Sequence, residues 1–155
     1  MSGQLNILCT ICARGGSKGV KNKNIKFLYG KPLIAYTVEQ ALAWGKASHV
    51  VVSTDSLRIA AVSKRYGAEV PFIRPPELAG DKMPKLPSIR HALIESEKIF
   101  KEKYDVVVDL DATACVRKIK DLDNCLNLYI KKKPKTLFSV VQAHRNPYFN
   151  MVESK

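Results

Sequence analysis

The sequence lacks long apolar runs and is poor in aromatic residues. Of its 155 residues, 46% are hydrophobic but only 8% are aromatic, with a single tryptophan. No run approaches the roughly 20 apolar residues that a membrane-spanning helix needs, so we expect no membrane partner. The first residues, MSGQLNILC, also lack the basic start and the long apolar core of a secretion signal. The sequence thus predicts one globular domain, 1–155, in the cytoplasm.

Cysteine is also scarce, and its pattern does not indicate a metal centre. Cys9 and Cys12 have the spacing of a metal-binding or redox pair, but no second such pair follows and the three histidines are scattered. Both cysteines fall in a predicted strand, where successive side chains point to opposite faces. We therefore expect free thiols in a reducing compartment.

Charge of one sign dominates the sequence. Lysine and arginine number 26 against 14 acidic residues, which gives a formal net charge of +12. Such an excess would suit nucleic acid, but aromatic residues are not interleaved with the basic ones as stacking platforms would be. We expect no nucleic-acid partner, and we assign the cations of residues 14–23 to a smaller polyanion.

Short Val-rich runs alternate along the chain with segments of helical period. This alternation predicts an α/β fold in which helices flank a parallel sheet. The predicted helices are 32–44, 57–66, 88–103 and 119–131, with Gly45 and Gly67 as stops and residues 54–56 as a cap. The predicted strands are 6–12, 49–53, 68–72, 105–110 and 136–141.

The first predicted strand runs into a glycine-rich loop, ARGGSKG, at 13–19. Glycines let the backbone approach a ligand closely, and free N–H groups there can hold an anion. Arg14, Lys18, Lys21 and Lys23 add positive charge that suits a polyphosphate. The spacing matches neither a P-loop nor a dinucleotide-binding motif. A tight turn with solvated lysines is the alternative interpretation.

Polar residues follow three predicted strands: the loop 14–23, the segment 53–55, and the pair Asp109 and Asp111. Ligands of open α/β sheets bind beyond the carboxyl ends of the strands, so these groups should converge. Asp111 is a carboxylate of the kind that holds Mg²⁺, and its alternative role is to cap the following turn. Asp109 should point to the opposite face, so we predict that the two carboxylates do not reach one ligand without a bend.

The amino-acid sequence of the loop is more specific than its glycine spacing alone. ARGGSKG, followed by Lys23-Asn24 and by GKPLI at 30–34, resembles the opening of the CMP-sugar synthetases, the acylneuraminate cytidylyltransferase family. Later motifs of that family are similar to VVSTD at 51–55, YGAEVPF at 66–72, RPPELA at 74–79, DLDATACVR at 109–117 and HRNPYFNM at 144–151. The resemblance therefore covers nearly the whole chain, and the motifs are most similar to those of legionaminate-type and sialate-type members.

The resemblance implies a Rossmann-like three-layer sandwich with a mostly parallel sheet, of the nucleotide-diphospho-sugar transferase type. It implies a cytidylyltransferase that joins CTP to a nonulosonic acid, of sialic or legionaminic type, giving a CMP-sugar and pyrophosphate with Mg²⁺ as cofactor. Specificity for cytosine rests on this resemblance alone.

Site residues follow from the same resemblance. The nucleotide would be held by Ala13, Arg14, Gly15, Ser17, Lys18, Lys23, Asn24 and Asp111. Arg14, Lys23 and Asp111 would be catalytic, with Lys23 at the α-phosphate and Asp111 as metal ligand. The sugar acid would meet Arg117, His144, Asn146 and Tyr148. For Arg117, an ion pair at the start of a helix is an equal alternative.

Two stretches differ from the family's wording, namely residues 81–85 and Ala114-Cys115-Val116. The family also continues beyond the length of this chain, so we expect a domain that is incomplete at its C-terminus. A homodimer, if formed, would use the segment after Val141. The alternatives are a nucleotidyltransferase with another sugar or base, and a nucleotide-binding module with impaired or no catalysis.

Overall fold

The computed structural model describes residues 5–140. Two short 3-10 turns, Lys23–Ile25 and Pro76–Leu78, interrupt the loops. The strands are β1 (Ile7–Cys12), β2 (Phe27–Leu28), β3 (Lys31–Pro32), β4 (His49–Ser53) and β5 (Val106–Asp109). The helices are α1 (Leu33–Trp44), α2 (Leu57–Arg65), α3 (Lys85–Phe100) and α4 (Ile119–Lys132).

The central sheet is parallel, with the strand order β4-β1-β5. Cys9 in β1 lies opposite Val50 in β4 and Val108 in β5. Residues 7–11 are all buried, which requires cover on both faces because alternate side chains point to opposite sides. Both α1 and α3 pack against β1 and β4. The predicted α/β fold with a parallel sheet is therefore confirmed.

Local signals placed most helix ends correctly. Ser56 is the N-cap of α2, and its hydroxyl accepts a hydrogen bond from the Ile59 amide. Gly45 ends α1 in a left-handed conformation with φ of +64°, which a residue without Cβ adopts at low cost. Helix α3 begins earlier than predicted, at Lys85. Pro87 does not block it, because the first turn of a helix has no partner for its N–H groups.

Two predicted strands are wrong. Residues 68–72 contribute only a single parallel bridge, between Val51 and Glu69, and Pro71, which has no N–H to donate, follows closely. Residues 136–140 form no strand. Phe138 and Val140 are exposed there, because a β-forming composition does not by itself supply a neighbouring strand. The short antiparallel pair of β2 and β3 was not predicted.

The chain divides into two compact units, Met1–Ile119 and Lys120–Lys155. The first holds the whole parallel sheet. In the second, Lys131 and Lys132 lie in the last turn of α4, where positive charge complements the helix dipole. The prediction of one domain over 1–155 stays a prediction. None of the helices within residues 5–140 has the length and apolarity to cross a membrane.

Gly67 ends α2 in a conformation that should resist substitution. Its φ is +96°, and a Cβ there would lie 3.0 Å from Leu42 Cδ1. We expect Gly67→Ala to lower the free energy of unfolding by about 1–2 kcal/mol, since both backbone strain and crowding result. Gly80→Ala is the control, because a Cβ at Gly80 meets no described atom within 4 Å. Urea unfolding of both variants tests this, and equal losses would contradict it.

Candidate active site

The glycine-rich loop is fastened to the end of β4 by its backbone. The Ala13 amide donates to the Ser53 carbonyl at 3.0 Å, and the Gly15 amide donates to Asp55 Oδ1 at 2.9 Å. A Cβ on Gly15 would lie 3.1 Å from Ser56 Cβ, so a side chain at Gly15 would crowd this contact. Ala13 and Gly15, both predicted to bind nucleotide, therefore position the loop in this structure.

A second fastening lies at the far end of the loop. The buried Asn24 side chain donates from Nδ2 to the Arg14 carbonyl at 3.0 Å. The loop 13–24 is thus closed on itself, which turns the side chains of Arg14, Lys18 and Lys23 toward one cavity. Asn24 lines the same cavity, so its predicted contact with a nucleotide would coexist with this structural bond.

The cavity has a volume of about 650 Å³ and lies beyond the carboxyl ends of β1 and β5. This is the edge at which ligands of parallel sheets bind. Six of the predicted site residues line it: Arg14, Ser17, Lys18, Lys23, Asn24 and Asp111. The remaining wall includes Cys12, Arg74, Asp81, Lys85, Ser88 and Thr113. The predicted convergence of the loop with the end of β5 is confirmed.

Asp81, which no site prediction included, pairs with two loop cations. Its Oδ1 lies 2.8 Å from Arg14 Nη1 and its Oδ2 lies 2.5 Å from Lys18 Nζ. The hydrogen bond from Lys18, together with the charges of both cations, holds the pKa of Asp81 below its ordinary value. The carboxylate therefore links the loop to the segment that leads into α3.

Lys85, also missed, joins the two carboxylates at the end of β5. Its Nζ lies 2.5 Å from Asp109 Oδ2 and 3.6 Å from Asp111 Oδ2. Asp109 and Asp111 therefore reach one group through a bend of the chain, which is the condition that the prediction had named. Strand β5 ends at Asp109 and a turn follows, so the alternation of a straight strand no longer applies at Asp111.

The charges of this trio support each other. Partial burial acts to lower the pKa of Lys85, but the bond to Asp109 and the charges of both aspartates raise it above its ordinary value. Asp109 also accepts a hydrogen bond from the Thr10 hydroxyl at 2.9 Å. The ammonium is therefore held in its charged form by the two carboxylates.

Asp111 also takes the turn-capping role that its position had left open. Its Oδ1 accepts bonds from both the amide and the hydroxyl of Thr113, each at 2.8 Å. Burial acts to raise the pKa of Asp111, but the Thr113 bonds and Lys85 outweigh it, so the pKa is lowered. The side chain is 55% exposed. Asp111 is therefore an anion that lines the cavity.

Arg74 is the most unusual group in the cavity wall. It is 4% exposed, and among the described residues its Nε and Nη2 have no hydrogen-bond partner. The closest carboxylate oxygen, Asp55 Oδ1, is 3.7 Å from Nη2. A hydrogen bond from the Arg74 amide to the Thr54 carbonyl fixes its backbone. Buried donors of a guanidinium are costly when unmet, and a lone arginine between apolar residues and Pro75 is the sequence signal that could have found it.

Arg117 lies outside the cavity wall. Its Nη2 donates to the Asp111 carbonyl at 2.9 Å and its Nη1 to Gln40 Oε1 at 3.3 Å. Gln40 Nε2 in turn donates to the Cys115 carbonyl at 2.7 Å. These bonds hold the loop 111–117 against α1. The predicted contact of Arg117 with the sugar acid stays a prediction, and His144, Asn146, Tyr148 and the segment after Val141 lie outside the described residues.

Comparison of the sequence with models of protein families identifies the family of this chain. The model of a family described as cytidylyltransferase matches residues 8–150. The chain belongs to the cytidylyltransferase family. The resemblance found in the sequence is thereby confirmed.

Two curated relatives come from Campylobacter. Post-translational flagellin modification protein B of Campylobacter coli is 46% identical over 95% of this chain and 63% of its own length. The CMP-N,N'-diacetyllegionaminic acid synthase of Campylobacter jejuni is 48% identical over the same shares. The chain therefore spans less than two thirds of the length of these relatives.

A solved structure of this fold supports the architecture. The structure of CMP:2-keto-3-deoxy-manno-octonic acid synthetase complexed with CTP matches with a TM-score of 0.66 at 21% identity, over 83% of this chain and 48% of that one. At this identity the match shows the fold alone.

The four cysteines of the chain, all within the described residues, are free. Burial raises the pKa of both Cys9 and Cys12 to about 12, with the charge of Asp109 adding to the effect. A thiol with so high a pKa is protonated at neutral pH and is a poor metal ligand or nucleophile. Among residues 5–140, no group of three or more His, Cys, Asp or Glu side chains could hold a metal ion.

Proposed function

We propose that the chain binds CTP in the cavity beyond β1 and β5 and serves the transfer of CMP to a nonulosonic acid of legionaminic or sialic type, with release of pyrophosphate. The observation that carries this proposal is that the loop cations Arg14, Lys18 and Lys23 line one cavity of about 650 Å³, whose wall also contains the buried Arg74. Ligand sites generally have volumes of roughly 300–1,000 Å³.

The choice of sugar rests on the relatives. One relative at 48% identity is named CMP-N,N'-diacetyllegionaminic acid synthase, and a pseudaminic acid cytidylyltransferase of Campylobacter jejuni is 38% identical over 87% of this chain and 58% of its own length. Legionaminic-type acids are therefore our first choice of substrate, and other nine-carbon sugar acids are the second.

The cavity offers different chemistry at different walls. The loop cations and the Ser17 hydroxyl face a region suited to phosphate oxygens, because charged donors bind such oxygens strongly. The guanidinium of Arg74 is buried in the same wall, and its planar set of donors suits an oxygen acceptor of the ligand. We propose that the loop binds the triphosphate and that Arg74 donates hydrogen bonds to another acceptor atom of the nucleotide.

Asp111 is the side chain that would hold Mg²⁺. It is exposed to the cavity, it is anionic because its pKa is lowered, and Mg²⁺ is commonly held by one or two carboxylates together with substrate phosphates. A bound Mg²⁺ would neutralise charge on the phosphate oxygens. A lowered pKa suits Asp111 to bind a cation better than to act as a general base.

The reaction that we propose makes few demands on covalent chemistry. The anomeric hydroxyl of the sugar acid would form a bond to the α-phosphorus and lose its proton to solvent, while the bond from the α-phosphorus to the bridging oxygen breaks and pyrophosphate leaves with that oxygen. Such transfers depend on positioning and charge stabilisation. Lys23 would stabilise the charge at the α-phosphate, and Arg14 and Lys18 would orient the leaving pyrophosphate.

A second candidate is nucleotide binding without turnover. This candidate is supported by the coverage, since the chain spans 63% of the length of its first two relatives. CTP binding that is not followed by pyrophosphate release would favour this candidate.

Pyrophosphate release in the presence of CTP, Mg²⁺ and a panel of nonulosonic acids tests the proposal. We expect release that depends on the sugar acid, and we expect Lys23→Met to lower it at least about tenfold, because one charge-assisted contact is lost. Lys21→Met is the matched control, since Lys21 belongs to the same loop but is not among the described residues that line the cavity.

Three outcomes separate the candidates. Sugar-dependent release that falls in the Lys23 variant but not in the Lys21 variant supports the transferase. Stabilisation by CTP without release supports the binding module. If CTP neither stabilises the chain nor supports release, the assignment of the cavity to a nucleotide is wrong.

A further inference from the structure

Two cations of the glycine-rich loop, Arg14 and Lys18, pair with a carboxylate of their own chain. Asp81 lies between the 3-10 turn Pro76–Leu78 and α3 and presents one oxygen to Arg14 and the other to Lys18, at 2.8 Å and 2.5 Å. Two oxygens of one anion, each facing a different cation, form the contact that a phosphate group would also make. The position expected to receive phosphate is therefore already filled by an anion.

The ion pairs of Asp81 with Arg14 and Lys18 form in this structure, but they are weak enough for a ligand to displace the carboxylate. Asp81 is 36% exposed and Lys18 is 81% exposed, and ion pairs that are open to water contribute little to stability. A polyphosphate brings several charges and can compete with a single carboxylate. A mononegative or dinegative ion brings fewer contacts and competes poorly.

We propose that Asp81 is a built-in occupant of the phosphate position, which the nucleotide triphosphate displaces when it binds. This inference rests on the proposed assignment of the cavity to a nucleotide. It adds a consequence of its own, namely that the loop discriminates against small anions such as inorganic phosphate. If Asp81 stayed in place, its charge would repel the incoming phosphate oxygens, so binding requires that it moves away.

Calorimetric titration with inorganic tripolyphosphate and with inorganic phosphate tests the inference directly. We expect Asp81→Asn to bind tripolyphosphate about three- to tenfold more tightly than the unchanged chain, since each exposed ion pair is worth at most about a factor of five. Binding of inorganic phosphate should become measurable. Glu77→Gln is the matched control, because Glu77 is an exposed carboxylate of the adjacent 3-10 turn and its loss changes the net charge equally.

Hydrogen exchange supplies a second readout. We expect residues 14–23 to exchange faster in Asp81→Asn than in the unchanged chain, because the link to the segment 80–84 is lost. Tripolyphosphate should make residues 80–84 of the unchanged chain exchange faster, since Asp81 is released. Thermal unfolding of the variant without ligand checks that it folds.

Each outcome decides the inference. Tripolyphosphate binding in Asp81→Asn that equals or falls below that of Glu77→Gln overturns it and makes Asp81 a positioning residue for Arg14 and Lys18. Absence of tripolyphosphate binding in every variant overturns it as well. If Asp81→Asn binds tripolyphosphate more tightly but the chain transfers no CMP, the inference is supported and the proposed reaction is wrong. If the chain transfers CMP but Asp81→Asn does not bind tripolyphosphate more tightly, the proposed reaction is supported and the inference is wrong.

Discussion

Replacement of Arg74 by methionine is expected to lower the affinity for CTP about a hundredfold, because hydrogen bonds from a charged donor contribute about 1.5–3 kcal/mol each. The guanidinium is buried and two of its nitrogens have no partner among the described residues. A ligand would not have to break an internal hydrogen bond of these two nitrogens, but it must displace the atoms that cover them, since both are shielded from solvent. Titration of CTP into both proteins measures the loss.

The same substitution should leave the fold intact. Methionine fills a similar volume without branching, and it removes two buried donors that have no hydrogen-bond partner among the described residues and are therefore costly in the folded chain. The Arg74 amide keeps its bond to Thr54, and Asp55 keeps its bond from Gly15. We therefore expect the free energy of unfolding to change by less than about 1 kcal/mol.

Arg58→Met is the control for this prediction, since Arg58 is an exposed residue of α2 and its loss removes one positive charge outside the cavity. It should leave CTP affinity nearly unchanged. If Arg74→Met binds CTP as tightly as Arg58→Met does, then Arg74 plays no part in nucleotide binding and its unmet donors need another explanation.

Lys85→Met has the second large expected effect, on stability. Removal of the ammonium leaves the carboxylates of Asp109 and Asp111 close together without their shared cation. Breaking a fully buried pair costs about 3–5 kcal/mol, and Lys85 is 39% exposed, so solvent screens part of the interaction. We expect a loss of about 1–2 kcal/mol in the free energy of unfolding at pH 7.

The loss should depend on pH with a definite sign. The pKa of Asp111 is lowered from 3.8, so its stabilisation is present above that value and is lost as the pH falls through the folded-state pKa. The pKa of Lys85 is raised from 10.5, so its stabilisation is present below that value and is lost as the pH rises through the folded-state pKa. The variant should therefore approach the unchanged chain at both extremes.

Urea unfolding at pH 7 and at acid pH, in the presence of a chelator, tests this prediction. Lys98→Met is the matched control, because Lys98 is the exposed partner of Glu95 in α3 and should contribute less than about 0.5 kcal/mol. A loss in Lys85→Met that is the same at pH 7 and at pH 3 would contradict the electrostatic account and would point to packing by the lysine stem.

Local sequence patterns predicted much of the fold because their causes are local. The Val-rich run His49–Ser53 is a buried strand as predicted, since a strand covered on both faces needs a continuous apolar run. Ser56 and Gly45 mark helix ends through bonds and angles within a few residues. The strand predicted at 136–141 does not form over residues 136–140, because a strand also needs a neighbour that the composition of a segment cannot supply.

The same distinction applies to the site. Arg14, Lys18, Lys23 and Asp111 could be found from the sequence, because glycine spacing and strand ends mark where a ligand meets an α/β sheet. Asp81 and Lys85 could not be found in this way. Their roles follow from partners far along the chain, at Arg14 and Asp109.

The sequence by itself determined the class of fold, the loop that follows β1 and the family. These three features depend on hydrophobic periodicity, on helix caps and on sequence motifs, which are properties of short segments. The tertiary structure alone decided which charges neutralise each other and which are left unmet. The strand order β4-β1-β5 and the early start of α3 bring Lys85 to the end of β5, while Arg74 is buried without a full set of partners. Pairing between residues that are distant in sequence depends on how the elements pack, and local sequence patterns do not show which of these residues come into contact.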